Sequence, residues 1–108
     1  MGENMAKEKL NAQGDVLEKT RNKVTKPSMY KVIMLNDDYT TMEFVVEVLE
    51  VIFHLPLPVA TAIMLEIHKS GKGVAGIYTK EIAETKIAQV AAAAHRSGFP
   101  LLCKMEKA

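Results

Sequence analysis

The chain has few of the residues on which several protein classes depend. It contains one cysteine, Cys103, and no tryptophan, which excludes an internal disulfide and a zinc site built on cysteines. No apolar run approaches the roughly 20 residues needed to cross a membrane, and the N-terminus lacks the apolar core of a signal peptide. Ala6 stands where a myristoylation motif requires Ser or Thr. We therefore expect a soluble, cytoplasmic protein without a membrane partner.

An excess of charge of one sign is also absent. Fourteen basic and 13 acidic residues give a formal net charge of +1, whereas nucleic-acid binding normally requires a concentrated basic surface. Hydrophobic residues make up 48% of the chain and charged residues 25%, which is typical of a globular domain. A length of 108 residues suits one domain. We expect a monomer that binds no nucleic acid.

The composition changes near Pro27. Residues 1–27 mix both charge signs with Asn, Gln, Gly and Thr and contain no aromatic residue. Such a segment buries little apolar surface, so we predict a flexible N-terminal arm, followed by a core domain over residues 28–108. Composition alone leaves open whether the arm has a function.

The first half of the core domain predicts a strand followed by a helix. Residues 28–35 are β-branched and apolar enough for a strand. Thr40 and Glu43 form a capping box, which predicts a helix that begins near Thr41. Apolar residues then recur at helical spacing and form the stripe Met42, Val45, Val46, Leu49, Ile52 and Phe53.

The second half predicts two further helices and two further strands. Pro58 suits the first turn of a helix that ends at Gly71, and residues 72–79 favour a strand. Thr79 caps a third helix that ends at Gly98, with the expected stripe Ala83, Ile87, Val90, Ala91 and Ala94. Residues 101–106 alternate as a last strand. The predicted fold class is an α/β (α+β) sandwich in the order β-α-α-β-α-β, with three helices packed on a small three-stranded antiparallel sheet.

An acidic loop separates the first strand from the first helix. Asn36, Asp37 and Asp38 suit a turn, because their side chains bond nearby backbone amides, and acids at a helix start complement its dipole. A second interpretation depends on His68, which shares a helix face with Met64. These four polar residues then converge beside a cleft with the apolar walls Met42, Val45, Met64 and Ile67. The residues alone leave both interpretations open.

Catalysis is an alternative for the same residues. Carboxylates and imidazole suit divalent metals and acid–base chemistry, so a metal-dependent hydrolase would use Asp37, Asp38 and His68. No second histidine lies at ligand spacing, and no Ser or Cys nucleophile accompanies a base. We therefore predict no enzyme, no catalytic residue, no metal and no cofactor.

Four segments resemble the ClpS family, the adaptors of the ATP-dependent Clp protease. They are NDDYTTMEFV (36–45), MLEIH (64–68), GVAGIYTKEIAETK (73–86) and PLLCKMEKA (100–108). The resemblance covers nearly all of residues 27–108, with these segments in the family's order and spacing. A third possibility is a plain interaction domain such as the similar-looking C-terminal domain of the ribosomal stalk protein. Such a domain would not require Asn36–Asp38 opposite a histidine.

The resemblance implies recognition of N-degrons, which are proteins that begin with a large hydrophobic residue (Leu, Phe, Tyr or Trp). It implies that the free α-amino group is held by Asn36, Asp37, Asp38 and His68. The pocket for the first side chain is implied to contain Leu35, Thr40, Met42, Val45, Met64, Ile67 and Leu101, with Met42 as a gatekeeper against Ile and Val.

The resemblance also implies a protein partner. A surface with Glu81, Glu84 and Lys86 is similar to the part of the family that docks on the N-terminal domain of a ClpA-type AAA+ unfoldase, and the arm then helps to hand over the substrate. The chain departs from the family at Thr41, where proline is common, at residues 54–60, and at Phe99. These departures bear on pocket shape and substrate preference.

Overall fold

Six elements follow one another in the computed structural model, which describes residues 27–108. They are β1 (Met29–Leu35), α1 (Met42–Val51), α2 (Leu57–Ser70), β2 (Lys72–Thr79), α3 (Lys80–Ser97) and β3 (Cys103–Lys107). The predicted order is confirmed. The predicted arm, residues 1–27, lies outside the described residues except for Pro27. Within the described range, no helix has the length and apolar character that spanning a membrane requires.

The sheet has β1 at its centre. β1 pairs antiparallel with β2 on one side and with β3 on the other, as predicted. The register with β2 shifts in the middle, because Val32 pairs with Gly76 while Ile33 pairs with Val74. Ala75 is the extra residue of this bulge. Residues three apart on a regular strand point to opposite faces, but the bulge allows both Ala75 and Tyr78 to pack against the core.

The helices cover the sheet unequally. α3 contacts all three strands, whereas α2 contacts β2 and α1. Gly73 sets the distance between α2 and β2, because a Cβ at this position would lie 2.9 Å from Cγ1 of Ile67. The fully buried side chains Val32, Met34, Leu49 and Val90 fill the centre. This packing holds α2 beside the loop that follows β1.

The start of α1 differs from the prediction by one residue. Thr41 is the N-cap, and its hydroxyl oxygen accepts a hydrogen bond from the N–H of Phe44 at 3.1 Å. Thr40 does not cap the helix, because its hydroxyl donates to the carboxylate of Asp37 at 2.7 Å. The predicted capping box between Thr40 and Glu43 is therefore wrong.

The ends of α2 and α3 follow the predicted signals. Pro58 lies in the first turn of α2, and Gly71 and Gly98 end α2 and α3 with φ of 91° and 77°. These left-handed values suit glycine, which has no Cβ to clash. Thr79 is the N-cap of α3, although its side chain makes no capping hydrogen bond.

Three details of the predicted core are corrected. Val48 was not expected in the stripe of α1 but is 2% exposed, because α1 packs on α2 as well as on the core. Ala91 was expected to be buried but is exposed, because α3 faces the sheet with Ala83, Val90 and Ala94. β3 begins at Cys103, since Leu101 enters the core before the strand starts.

Candidate functional site

The loop between β1 and α1 is organised by Asp37. Its Oδ1 accepts the backbone N–H groups of Tyr39 at 2.8 Å and Thr40 at 2.7 Å, and its Oδ2 accepts the hydroxyl of Thr40 at 2.7 Å. The N–H of Asn36 donates to the carbonyl of Gly71 at 2.9 Å, which ties the loop to the end of α2. The turn chemistry that the sequence indicated is therefore present.

These hydrogen bonds determine the charge state of the loop. Partial burial acts to raise the pKa of the Asp37 carboxyl, but the donors on Thr40 and Tyr39 favour the charged form. The second effect prevails, so the pKa of Asp37 lies below its ordinary value. Asp37 is thus a carboxylate at neutral pH. It uses three of its roughly four lone-pair sites, which leaves room for one more donor.

The loop, α1 and α2 enclose a cavity of about 250 Å³, the first cavity. Loop residues lie on one side, and residues of the two helices form the rest of the wall. Its lining consists of Asn36, Asp37, Asp38, Thr40, Met42, Val45, Met64, Ile67 and His68. The four residues predicted for amine binding therefore lie together with five of the seven predicted for the pocket.

The other two predicted pocket residues do not line the first cavity. Leu35 is half-buried, and its N–H donates to the carbonyl of Leu102 at 3.0 Å. Leu101 is 2% exposed and packs in the core. Leu35 and Leu101 lie on the two segments that pair where β1 ends. These two side chains therefore contribute to the packing around the loop.

The first cavity combines a polar side with an apolar side. Val45 and Ile67 are buried, whereas Met42 is 43% exposed. Asn36, Asp38 and His68 are exposed, so their oxygen and nitrogen atoms are available to a ligand. Such a lining can accept several hydrogen bonds from one cationic group and enclose one apolar side chain next to it. Methionine walls also adapt to side chains of different shape.

The geometry does not favour the metal alternative. Across residues 27–108, no group of three His, Cys, Asp or Glu side chains is placed to share one metal ion. Asp37, Asp38 and His68 are therefore near one another without forming a three-ligand set.

The residues predicted for docking lie on α3. Glu81 and Glu84 are exposed, but Lys86 is half-buried and points to the end of α1. Its Nζ donates to the carbonyl of Ile52 at 2.6 Å and lies 6.0 Å and 5.8 Å from the ring centroids of Phe53 and Tyr78. No local pattern predicted this contact, because the two partners are 34 residues apart in the chain.

A second cavity was not predicted. It has a volume of about 350 Å³ and is lined by Met42, Glu43, Val46, Glu47, Glu50 and Met64. The signal for it was present in the sequence, since the three glutamates follow at i, i+4 and i+7 and share one face of α1. The position of the second cavity beside the first one could be known only from the fold.

Comparisons with known proteins agree on one family. The sequence family described as "ATP-dependent Clp protease adaptor protein ClpS" matches residues 25–104. A curated ClpS of Desulfatibacillum aliphaticivorans is 56% identical over 93 residues, which is 86% of this chain and 89% of that protein. A ClpS of Caulobacter vibrioides is 51% identical over 113 aligned positions, with 98% of this chain and 95% of that protein covered.

A solved structure agrees as well. The structure of Agrobacterium tumefaciens ClpS2 bound to L-phenylalaninamide superimposes with a TM-score of 0.74 and 36% sequence identity. The match covers 77% of this chain and 100% of the solved one. Its fold is the same arrangement of three helices and a three-stranded antiparallel sheet.

Proposed function

The chain belongs to the ClpS family of Clp protease adaptor proteins, and from this premise we propose that it selects N-degron substrates with its first cavity. The substrate class is proteins whose first residue is Leu, Phe, Tyr or Trp. The adaptor delivers them to the N-terminal domain of a ClpA-type AAA+ unfoldase and catalyses no reaction itself. The observation that carries the proposal is the pairing of polar and apolar linings in one cavity.

The polar side suits a free α-amino group. An ammonium has three N–H donors and no acceptor, so its binding site must supply acceptors. Asn36 offers an amide oxygen, Asp37 and Asp38 offer carboxylates, and His68 offers a ring nitrogen. Asp37 acts in two ways, because it fixes the backbone of the loop and retains one lone-pair site for the amine.

The apolar side suits one large side chain. Burial of a Leu or Phe side chain contributes roughly 1.5–3 kcal/mol, and Met42 and Met64 adapt to either shape. A ligand of this type carries a free amine next to an apolar side chain. L-phenylalaninamide, bound by the Agrobacterium relative, has these two groups, which supports the same ligand class here.

The docking surface is proposed on α3. Glu81 and Glu84 are exposed near the N-terminal end of the helix, away from both cavities. An unfoldase domain bound there leaves the first cavity open to substrate. Lys86 contributes to the shape of this surface through its contact with Ile52.

Peptide binding by fluorescence anisotropy tests the proposal. A Phe- or Leu-started peptide should bind the full chain, and acetylation of its α-amine should weaken binding about 10- to 100-fold, since a hydrogen bond to a charged group contributes about 1.5–3 kcal/mol. A Ser-started peptide of otherwise equal sequence controls for the side chain. Equal affinity for the free and the acetylated Phe peptide would refute the proposed recognition.

A further inference from the structure

The sheet has a second side, which points away from the helices. In β1, Val32 and Met34 pack in the core, so Lys31 and Ile33, which alternate with them, point to the opposite side. Residues that pair across strands share one side of a sheet. We call the surface formed by Lys31, Ile33 and their partners the outer sheet face. These partners are Val74, Ile77, Lys104 and Glu106.

The outer sheet face extends beyond these pairs at one end. Lys72 lies two residues before Val74 on β2 and therefore shares its side of the sheet. Leu102 lies between Leu101 and Cys103, which both pack against the core, so its side chain points outward. The outer sheet face thus includes Leu102 and Lys72 as well.

The apolar side chains of this face are largely open to solvent. Leu102 is 63% exposed, Ile77 is 52% exposed, and Val74 is also exposed. Ile33 is only 3% exposed, because it lies at the centre with Val74 on one side and the aliphatic stem of Lys104 on the other. Contiguous exposed apolar surface is typical of an interaction site.

The apolar side chains form a stripe that crosses the sheet diagonally. Leu102 precedes β3 and lies beside the end of β1, Ile33 lies at the centre of β1, and Val74 and Ile77 follow one another along β2. The stripe therefore touches all three strands, from one corner of the face to the opposite one.

Lysines flank this stripe on both sides. The register places Lys72 on one flank and Lys31 and Lys104 on the other. Glu106 is near them, and its Oε2 lies 3.2 Å from Nζ of Lys104. The pKa of the Glu106 carboxyl is below its ordinary value, first because Lys104 donates a hydrogen bond to it and then because Lys72 and Lys31 add positive charge. Three lysines and one glutamate give this face a formal charge of +2.

We propose that the outer sheet face binds one amphipathic helix of another protein, in which an apolar stripe lies between two rows of Asp or Glu. The apolar side of that helix packs on the diagonal stripe, and its acids face the lysines on both flanks. The inference is independent of the proposed function, because the residues of this face line neither the first nor the second cavity.

The dimensions of the face suit one helix. The two outer strands lie about 10 Å apart, since neighbouring strands are about 4.8 Å apart, and a helix is about 10–12 Å in diameter. β1 has seven residues and is therefore about 23 Å long, which corresponds to about 15 helical residues. On its other side the same sheet already packs α3, a helix of 18 residues that contacts all three strands.

Charge selects an acidic partner over the other occupants that the chain itself offers. Two outer sheet faces in contact would bring six lysines together with two glutamates, and like charges oppose such an association. Residues 1–26 contain six basic and four acidic residues, so their net charge has the same sign as that of the face. A partner with acids on both sides of an apolar stripe has the opposite sign.

The test uses two helical peptides that share a leucine stripe and differ in their flanks. The acidic probe is two repeats of Glu-Leu-Ala-Ala-Leu-Glu-Gln with blocked ends, and in the basic probe Lys replaces every Glu. Each is titrated into the isotope-labelled full chain, and amide shifts are recorded by NMR. We expect the acidic probe to bind about tenfold more tightly, as suits a few exposed charge pairs, with the largest shifts in β1 to β3. Equal affinity for both probes would refute the proposal.

A charge in the stripe should remove binding. Ile77→Glu should weaken binding of the acidic probe about tenfold or more, because it places a carboxylate in the apolar contact. The matched control is Leu57→Glu, since Leu57 is 55% exposed at the start of α2 and lies outside the face. The control should bind like the wild type, and thermal unfolding shows whether both variants are folded. Equal losses in the two variants would overturn the assignment to this face.

Lysine variants leave the apolar packing intact and test the flanks alone. Lys72→Gln combined with Lys104→Gln leaves one lysine and one glutamate, so the acidic-over-basic ratio should fall from about ten to near one. Lys69→Gln combined with Lys80→Gln removes two exposed lysines outside the face and should keep the ratio. An unchanged ratio in the first pair would refute the role of the flanks.

Two further measurements assign the face to a different occupant if the proposal is wrong. A dimer that sedimentation detects in the wild type and that Ile77→Glu dissociates would assign it to a second copy of the chain. Binding to phosphatidylglycerol vesicles that Ile77→Glu abolishes, without binding of the acidic probe, would assign it to a lipid surface. Ile77→Glu should bind a Phe-started peptide within about twofold of the wild type, so failure of this inference leaves the proposed function unaffected.

Discussion

The two ends of helix α1 are built in opposite ways. At the N-terminal end, Met42 is 43% exposed and lines two cavities beside an acidic loop. At the C-terminal end, the carbonyl of Ile52 accepts the ammonium of Lys86, and Phe53 is buried beside it. The N-terminal end leaves polar and apolar groups available to a ligand. At the C-terminal end, the carbonyl group is hydrogen-bonded and the apolar ring is buried within the protein. Substitutions at the first end should therefore affect binding, and those at the second should affect folding.

The open end is nevertheless ordered. Three hydrogen bonds to Asp37 and the N-cap bond to Thr41 fix the loop without any ligand. A preformed site loses less conformational entropy on binding. The comparison thus distinguishes availability from flexibility. Hydrogen bonds to Asp37 hold the backbone of the loop, whereas the side chains of Asn36 and Asp38 are exposed and therefore available to a ligand.

The largest expected effect follows from loss of the proposed amine acceptors. Asp37→Ala should weaken binding of a Phe-started peptide about 100-fold or more, because it removes an acceptor for the charged amine and releases the loop. His68→Ala should also reduce binding strongly, and because His68 is exposed it should leave the thermal midpoint unchanged. Anisotropy titrations and thermal unfolding on the same samples measure both quantities.

Two controls accompany this prediction. Thr40→Val removes the hydroxyl that donates to Asp37 but keeps the carboxylate, so it should cause a smaller loss. Glu66→Gln removes a charge outside both cavities and should bind peptide like the wild type. Wild-type affinity in a folded Asp37→Ala or His68→Ala protein would contradict the assignment of these residues.

The pH dependence of stability tests the same loop. The pKa of Asp37 is lower in the folded protein than its ordinary value of 3.8, so the charged form stabilises the fold. This contribution is complete above the unfolded pKa and is lost as the pH falls through the folded pKa. Denaturant unfolding from pH 6 to pH 2 should therefore show a smaller acid-dependent loss in Asp37→Asn than in the wild type. Equal acid dependence would mean that Asp37 is not the stabilising carboxylate.

Local signals explain what the sequence predicted correctly. Gly71 and Gly98 end helices because each adopts a positive φ, and a glycine in that position is visible without the fold. The acidic loop was predicted either as a turn or as a ligand site, and the structure shows a turn that borders a cavity. The two interpretations are compatible, because Asp37 bonds the backbone while Asp38 and Asn36 remain exposed.

Long-range contacts explain what was missed. Thr40 was assigned to a cap because Glu43 follows at the right spacing, but the competing bond to Asp37 prevails. The contact between Lys86 and Ile52 and the burial of Val48 depend on how separate elements pack. Periodicity within one element carries no information about such contacts.

A change in specificity should be the next effect in size. Met42→Ala removes part of the wall of the first cavity, so that a β-branched first side chain gains space. The ratio of affinities for Ile- and Phe-started peptides should rise about tenfold, the range expected for one or two methylene groups in a pocket. Met105→Ala, which truncates a half-buried methionine outside both cavities, is the control. An unchanged ratio in Met42→Ala would show that this residue is not the gatekeeper.

At the closed end of α1, folding should change while binding does not. Lys86→Met keeps an apolar stem but removes the hydrogen bond to Ile52, which should lower the free energy of unfolding by about 1–2 kcal/mol. The affinity for a Phe peptide should stay within about twofold, because Lys86 lines neither cavity. Lys80→Met, at an exposed position, is the matched control for stability. A loss of peptide affinity in Lys86→Met at full stability would contradict the division between the two ends.

The smallest effect on peptide affinity is expected from residues 2–26. Among residues 27–108, those that line the first cavity lie between Asn36 and His68, and the removed segment is polar with few apolar groups. Its deletion should therefore change the affinity for a short Phe peptide by less than about twofold, and the proposed docking through Glu81 and Glu84 should be retained.

Delivery should depend on the same segment, because we expect the unfoldase to require a length of chain that it can engage during handover. Degradation of a Phe-started protein by the reconstituted protease should fall sharply after the deletion. A second variant, in which residues 2–26 are replaced by a Gly/Ser sequence of equal length, separates a requirement for length from one for sequence. Rescue by this variant would assign the role to length alone. Unimpaired degradation without any arm would show that delivery, like peptide binding, depends only on the core domain.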